Sequence, residues 1–447
     1  MTTPIEPTSL WSRARKGAHE WRSFRSALAR ALHAYGREHI GTVRLLIVVR
    51  LLRWPVRAAM RPLLRRLPRD PKLIAFGVGG NRFADNPAYL FLHMSSSNRL
   101  RCVWVTGTQE TVDRLRAAGY DAVRRWTVEG VWVALRASWY VFSSSRADIN
   151  VWFSDGATAL NLWHGVGVKR VQRDRVVGQG AAIHTAGEGT FTARVLADER
   201  RPPDWMLSTS PMMTKIFARS FGILEERCIE LGYPRNDHLI TGGEAPELLV
   251  DESINEALRG AVPVVGYFPT FRDTTVSVPG GVPLIREMSE IVAAQGGSLF
   301  FKSHTSTWIP GLSEAGAVVL PKEADLNAYL AKCDVLVTDY SSVASDFLFL
   351  NKPVVLFFPD FDEFNDERGF NFEPLLMMPG IVTRSKEELY KVLQNVGSIT
   401  LPEKTSRLLD AYWAPHARAG ASERIACFIE DRLKRSENPR RRTASFC

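Results

Sequence analysis

Cysteine is scarce in this sequence: five residues in 447 (Cys102, Cys228, Cys333, Cys427 and Cys447), an odd number, widely separated and with no Cys-x-x-Cys. That usage suits reduced thiols and gives neither a disulfide framework nor a thiolate metal site. The nine histidines form no His-x-x-x-His or His-Glu-x-x-His, so no protein-bound metal is expected. No run approaches the roughly 18–20 uncharged apolar residues of a membrane span. The nearest, 45–49, is closed by Arg44 and Arg50. The first residues lack the basic segment and apolar core of a secretory signal, which places the expectation in the cytosol or on its membrane face. A Gly-x-x-x-x-Gly-Lys-Ser/Thr loop is missing, and Gly77-Val78-Gly79-Gly80 lacks the third glycine of a dinucleotide fingerprint.

What is present is an ordinary globular balance, 45% hydrophobic and 23% charged, in a length that predicts two or three domains. The net charge of +9 sits at the ends. Residues 1–70 hold 15 Arg and Lys against four acids, a net of +11, and 434–447 add +4, leaving the body at −6. A nucleic-acid groove would put that charge on the folded domain, so no nucleic-acid partner is expected. Arg50, Arg53, Arg57, Arg61 and Arg65 share one helical face, with leucines, Val56 and Trp54 between them; Pro55 and Pro62 divide or kink the helix. Such an element reads as a basic amphipathic arm on an anionic bilayer, or as a solvated arm packed on its own domain.

From Lys72 onward the texture alternates. Strands are expected at 72–78, 101–106, 139–143, 159–163 and 205–208, with helices at 86–94, 110–118 and 211–221. After a loop-like break at 241–246, strands follow at 262–268, 298–302, 317–320, 334–338 and 353–358. Helices are expected at 284–294, 326–331, 342–350, 386–394, 406–412 and 421–435. Strands separated by helix-length segments predict an α/β protein of two doubly wound, Rossmann-like domains, with ligands at the carboxyl ends of the strands. The expected division is a basic arm over 1–70, α/β domains over 71–245 and 246–435, and a basic tail over 436–447.

Several segments bring reactive side chains to those strand ends. An apolar strand runs into His164, then Gly165 and Gly167, then Lys169 and Arg170. A histidine there can take a proton from an attacking hydroxyl, while glycines admit an anion to the backbone. It can equally be a strand-end histidine satisfied by backbone groups. Thr338-Asp339-Tyr340-Ser341-Ser342, with Asp346 beyond, puts two hydroxyls at a helix start, to hold a phosphate or simply to cap. Lys302 and His304 fall on one side of a strand end. Thr270 and Arg272 follow another strand, and Arg235 follows a proline turn. Each alone reads as loop charge. Together they suit transfer of a phosphorylated or nucleotide-activated group.

These segments, in this order, resemble the CDP-glycerol:poly(glycerophosphate) glycerophosphotransferases, which prime and polymerise teichoic acids and related capsule polymers. The resemblance runs from about Asn86 to Leu389. It rests on Leu162-Trp163-His164-Gly165 with Lys169, on Leu231 to Asp237, on Pro269 to Asp273, and on Asp334 to Ser342. Asn351-Lys352-Pro353-Val354-Val355 and Arg368-Gly369-Phe370 complete it. It implies a GT-B-type fold with His164 as the base on the acceptor hydroxyl and His304 acting at the donor pyrophosphate. Gly165, Lys169, Arg235, Thr270, Arg272, Lys302, Ser341, Ser342 and Asp346 are the implied substrate contacts. The reaction would move a polyol phosphate from CDP-glycerol, or another CDP-polyol, to a lipid-linked or polymeric acceptor, releasing CMP with no tightly bound cofactor. The family's usual Thr-Pro after Trp-His-Gly is Val166-Gly167 here, and Thr305 stands where proline usually follows the second histidine. Members are peripheral proteins of the cytoplasmic face of the bacterial membrane. The alternatives are a GT-B glycosyltransferase using a nucleotide sugar, and a non-catalytic membrane-associated binding protein.

Overall fold

The computed structural model describes residues 54–175, 197–270, 272, 279–302, 311–401, 403 and 405–437. These residues fall into two compact units, one of 54–63, 175 and 197–201, the other of all the rest.

The larger unit is built on two parallel sheets. The first contains β1 (Asp70–Gly77), β2 (Arg101–Thr106), β3 (Ala122–Arg124), β4 (Ala137–Phe142), β5 (Thr158–Asn161), β6 (Trp205–Ser208) and β7 (Cys228–Glu230), in the order β3-β2-β1-β4-β5-β6-β7. The second contains β8 (Val264–Phe268), β9 (Ser298–Phe301), β10 (Val318–Val319), β11 (Val335–Thr338), β12 (Val354–Phe357) and β13 (Ile381–Thr383), in the order β10-β9-β8-β11-β12-β13. The two doubly wound sheets predicted from the alternation are both present. Residues 73–77 of β1 and all of β8 are buried, as befits strands covered on both faces.

The period of two divides their side chains between cores. Leu73, Ala75, Val103 and Tyr140 face one core of the first sheet, and Val265, Phe301, Val337 and Val355 a corresponding core of the second. The alternate residues, Ile74, Phe76, Trp104 and Leu160 with Phe268, Phe300, Leu336 and Leu356, belong to one continuous core shared by both sheets. Strand order reverses between β1 and β4 and again between β8 and β11, which are the crevices where such sheets take ligands.

The last helix, Ala421–Glu437, returns to the first sheet. Phe428 meets Trp139 and Trp205 edge-on, at 6.2 and 5.1 Å between centroids, and Arg99 pairs with Glu430. Asp237 caps its start, accepting the amides of Ala421 (2.8 Å) and Ser422 (2.9 Å).

In the smaller unit, Arg57 and Arg61 of the helical residues 54–63 both point at Asp198, Arg61 at 2.6 Å, and Arg57 is only 1% exposed. Two arginines of the basic stripe therefore serve an internal carboxylate. The rest of the arm, over 1–53, and the tail over 438–447 lie outside the described residues.

Candidate active site

The end of β5 delivers His164. The strand stops at Asn161, whose side chain accepts the Trp163 amide at 2.9 Å, and Trp163 takes a φ of +53°. Asn86 donates to the carbonyls of Leu162 (3.3 Å) and Trp163 (3.0 Å), so the turn leaves few backbone groups unpaired. The indole lies over the imidazole with centroids 4.1 Å apart. His164 Nδ1 stands 3.2 Å from the Ser143 carbonyl. A carbonyl only accepts, so Nδ1 carries the hydrogen and Nε2 of the neutral ring keeps its lone pair. The ring opens on the cleft, yet the protein around it desolvates it and lowers its pKa below the ordinary 6.5, against the pull of Asp85. The lowered pKa favours the neutral ring, and with Nδ1 donating to Ser143 its acceptor is Nε2.

Across the cleft, β11 ends in Thr338 and leads through Ser341 and Ser342 into the helix Val343–Phe347. The Ser341 hydroxyl accepts the Val343 amide at 3.4 Å, so capping is part of its work. The Ser342 hydroxyl makes no hydrogen bond among the described residues, and Gly165 packs directly against it.

Arg235 ties the walls together. Its guanidinium donates to Asp85 (2.8 Å) and to Asp346 (2.7 Å), and Asn236 donates to the other Asp346 oxygen at 2.8 Å. All three ionic groups are at most 8% exposed. Burial raises the Asp346 carboxyl, and Arg235 pulls it back. In consecutive positions, Arg235 and Asn236 hold the cleft and Asp237 holds the last helix.

Lys302 lines the cleft at the end of β9, but its ammonium donates to three carbonyls, Pro321 (2.9 Å), Lys322 (3.3 Å) and Ala324 (2.6 Å). Burial, helped by the nearby Arg82, lowers its pKa to about 8. Its first structural role is to hold the 321–325 loop.

Not every expected contact reaches the cleft. Arg272 is buried in pairs with Asp339 (2.8 Å) and Asp360 (2.6 Å), its guanidinium 5.1 Å from the Tyr340 ring centre and 4.8 Å from that of Phe364. Thr270 gives its amide to Asp339 at 2.8 Å, and its buried hydroxyl has no hydrogen-bond partner among the described residues. Lys169 forms an isolated antiparallel bridge with Phe370. His304 lies outside the described residues.

The cleft measures about 690 Å³ and brings together His164, Arg235, Lys302, Ser341, Ser342 and Asp346. It also contains residues that sequence reasoning passed over: Arg82, Asp85, Ser143, Ser144, Lys322 and Asp325. Asp325 accepts the Asp85 and Asn327 amides and the Tyr89 hydroxyl. Among the described residues no three His, Cys, Asp or Glu side chains are arranged to hold a metal ion, and no helix is long and apolar enough to cross a membrane.

The family model described as CDP-Glycerol:Poly(glycerophosphate) glycerophosphotransferase matches residues 59–431. A teichoic acid poly(glycerol phosphate) polymerase of Staphylococcus epidermidis is 26% identical over 365 residues, 77% of this chain and 48% of its own. The polymerase of the same name from Bacillus spizizenii is 25% identical over 362 residues, 77% of this chain and 89% of its own. The chain thus spans about half the length of the first relative and most of the second. Among solved structures, the wall teichoic acid polymerase TagF soaked with CDPG superposes with a TM-score of 0.67 at 22% identity, covering 88% of this chain and 99% of that one. That likeness is one of fold.

Proposed function

The chain belongs to the CDP-glycerol:poly(glycerophosphate) glycerophosphotransferase family, and on that premise we propose that it transfers glycerol phosphate from CDP-glycerol to an acceptor hydroxyl in the synthesis of a teichoic-acid-like or capsular polymer. The acceptor oxygen attacks the β-phosphorus and its proton passes to Nε2 of His164. The bond from that phosphorus to the bridging oxygen breaks, CMP leaves with the oxygen, and a phosphodiester remains. Positioned donors then stabilise charge developing on the transferred phosphate. Residues 71–245 would present the acceptor and 246–435 the donor, through Ser341, Ser342 and, outside the described residues, His304.

The observation that carries this reading is the His164–Ser143 contact, which leaves Nε2 unprotonated in a cleft whose far wall bears the Ser341 and Ser342 hydroxyls. Purified protein should be incubated with CDP-glycerol, CDP-ribitol and nucleotide sugars together with a lipid-like hydroxyl acceptor. CMP release from CDP-glycerol with glycerol phosphate added to the acceptor supports the reading. A glycoside product, or no turnover of CDP-glycerol, overturns it.

The acceptor is taken to be membrane-held and the enzyme peripheral on the cytoplasmic face, because residues 1–70 carry a net +11. The full chain should sediment with anionic liposomes at low salt and be released at high salt. Equal sedimentation with neutral liposomes would remove the electrostatic anchor.

A further inference from the structure

Most charges in the cleft are committed within the protein. Arg235 holds two carboxylates and Lys302 caps three carbonyls. Two cations are not so committed. Lys322, on the second sheet's side, makes no side-chain hydrogen bond or ion pair among the described residues. Arg82, on the first sheet's side, makes only one long bond, Nε to the Gly79 carbonyl at 3.5 Å.

Arg82 stands at the first sheet's own crevice, where strand order reverses between β1 and β4. Gly79 and Gly80 follow β1, and Ser143 and Ser144 follow β4. The loops touch: a Cβ on Gly79 would lie 3.5 Å from the Ser144 hydroxyl, and one on Gly80 would lie 3.7 Å from Arg82 Nε. That hydroxyl makes no hydrogen bond among the described residues. Below them the loops are braced. Arg125 donates to Asn81 Oδ1 (3.1 Å) and to the carbonyls of Asp148 (2.7 Å) and Ile149 (2.6 Å), while Asp148 accepts the Ser144 amide at 2.9 Å. Burial pushes the Asp148 carboxyl up to about 7, against the pull of the Ser144 and Ser145 amides and of Arg125. The shelf also adjoins the base, since the Ser143 carbonyl holds His164.

We propose that Arg82, with the Ser144 hydroxyl and the open Gly79–Gly80 turn, forms an acceptor-side anion subsite that holds a phosphate ester of the acceptor beside the hydroxyl presented to His164. The proposal rests on the phosphotransferase reading above. The ligand is a phosphodiester, which a guanidinium binds through paired N–H groups and a hydroxyl completes. An acceptor already carrying a polyol phosphate is then favoured over a bare one, so the chain extends more readily than it primes.

The test uses the full chain, CDP-glycerol and two soluble acceptors: an octyl ether of glycerol ending in a glycerol phosphodiester, and the same ether ending in free glycerol. The wild type should prefer the first. In Arg82→Gln the ratio of the two kcat/KM values should fall by about tenfold or more, as expected for loss of a charged hydrogen bond. Ser144→Ala should move it the same way, and Lys322→Gln should leave it at the wild-type value. Equal use of both acceptors by the wild type overturns the subsite, as does an Arg82→Gln variant that slows both acceptors alike or raises only the donor KM. Absence of CMP release by the wild type with either acceptor overturns the phosphotransferase reading itself, and the subsite with it.

Discussion

Gly165 and Ser342 approach so closely that a Cβ on the glycine would stand 2.1 Å from the serine hydroxyl oxygen and 2.7 Å from its Cβ. The residue after the candidate base and a hydroxyl of the opposite wall are therefore in direct contact, although 177 positions of sequence separate them.

Gly165→Ala must push these walls apart or turn Ser342 away. Overpacking of this kind costs roughly 1–3 kcal/mol, and here it falls on the reacting geometry. CMP release should drop by about tenfold or more while the melting temperature shifts only modestly. An alanine variant with wild-type kcat would show that this contact does not set the geometry.

His164→Gln should lower turnover by roughly 10²–10⁴-fold. The base acts deprotonated and the crowding around it lowers its pKa, so the acid limb of the wild-type kcat profile should fall below pH 6.5. The linkage has the same sense. The folded protein binds this proton less readily than the unfolded chain, so the stability from His164 is complete above pH 6.5 and lost as pH falls. A limb above pH 6.5, or one unchanged in the variant, would assign it to another group.

Arg235→Met leaves Asp85 and Asp346 facing each other without their shared cation. Breaking a buried pair from one side costs about 3–5 kcal/mol, readable in a denaturant melt. Adding Asp346→Asn should restore part of that loss. A single variant as stable as the wild type would mean that the two carboxylates need no guanidinium.

Lys302→Met removes the donor shared by the carbonyls of Pro321, Lys322 and Ala324. Amide exchange over 321–326 should quicken and the donor KM should rise. If KM rises with exchange unchanged, the ammonium acts on the donor directly and the loop stands without it.

Elements with a clear apolar pattern were legible: β2, β6 and the helix Pro211–Phe221 fall on their expected bounds. The strands β3, β7 and β13 were not anticipated, since three residues carry no period to detect. Nor was the helix Val128–Arg136, whose start and middle expose Val128 and Trp132. Placement in the cleft was legible where a motif puts a side chain at a strand end, as with His164 and Ser342. It was not legible where a distant residue decides the role. Arg272, expected from its strand end as a substrate contact, is paired with Asp339 and Asp360, 67 and 88 positions away, which no local pattern announces. Arg82 and Asp325 carry no local signal, because only the fold brings them to the cleft.

The segment bearing His164 continues into a strap between the two halves. Asn371 donates its amide to Val168 and its side-chain nitrogen to the carbonyls of Gly167 and Lys169, all at 2.9 Å, while Arg170 reaches the carbonyls of Gly369 and Phe370 at 3.1 Å. Like a hem, this strap stitches the ribbon after His164 to the 369–371 loop through carbonyls alone on the accepting side. Because a main-chain carbonyl is common to every residue type, the seam constrains the backbone path there while itself asking nothing of the accepting residues' side chains at 167–169 and 369–370.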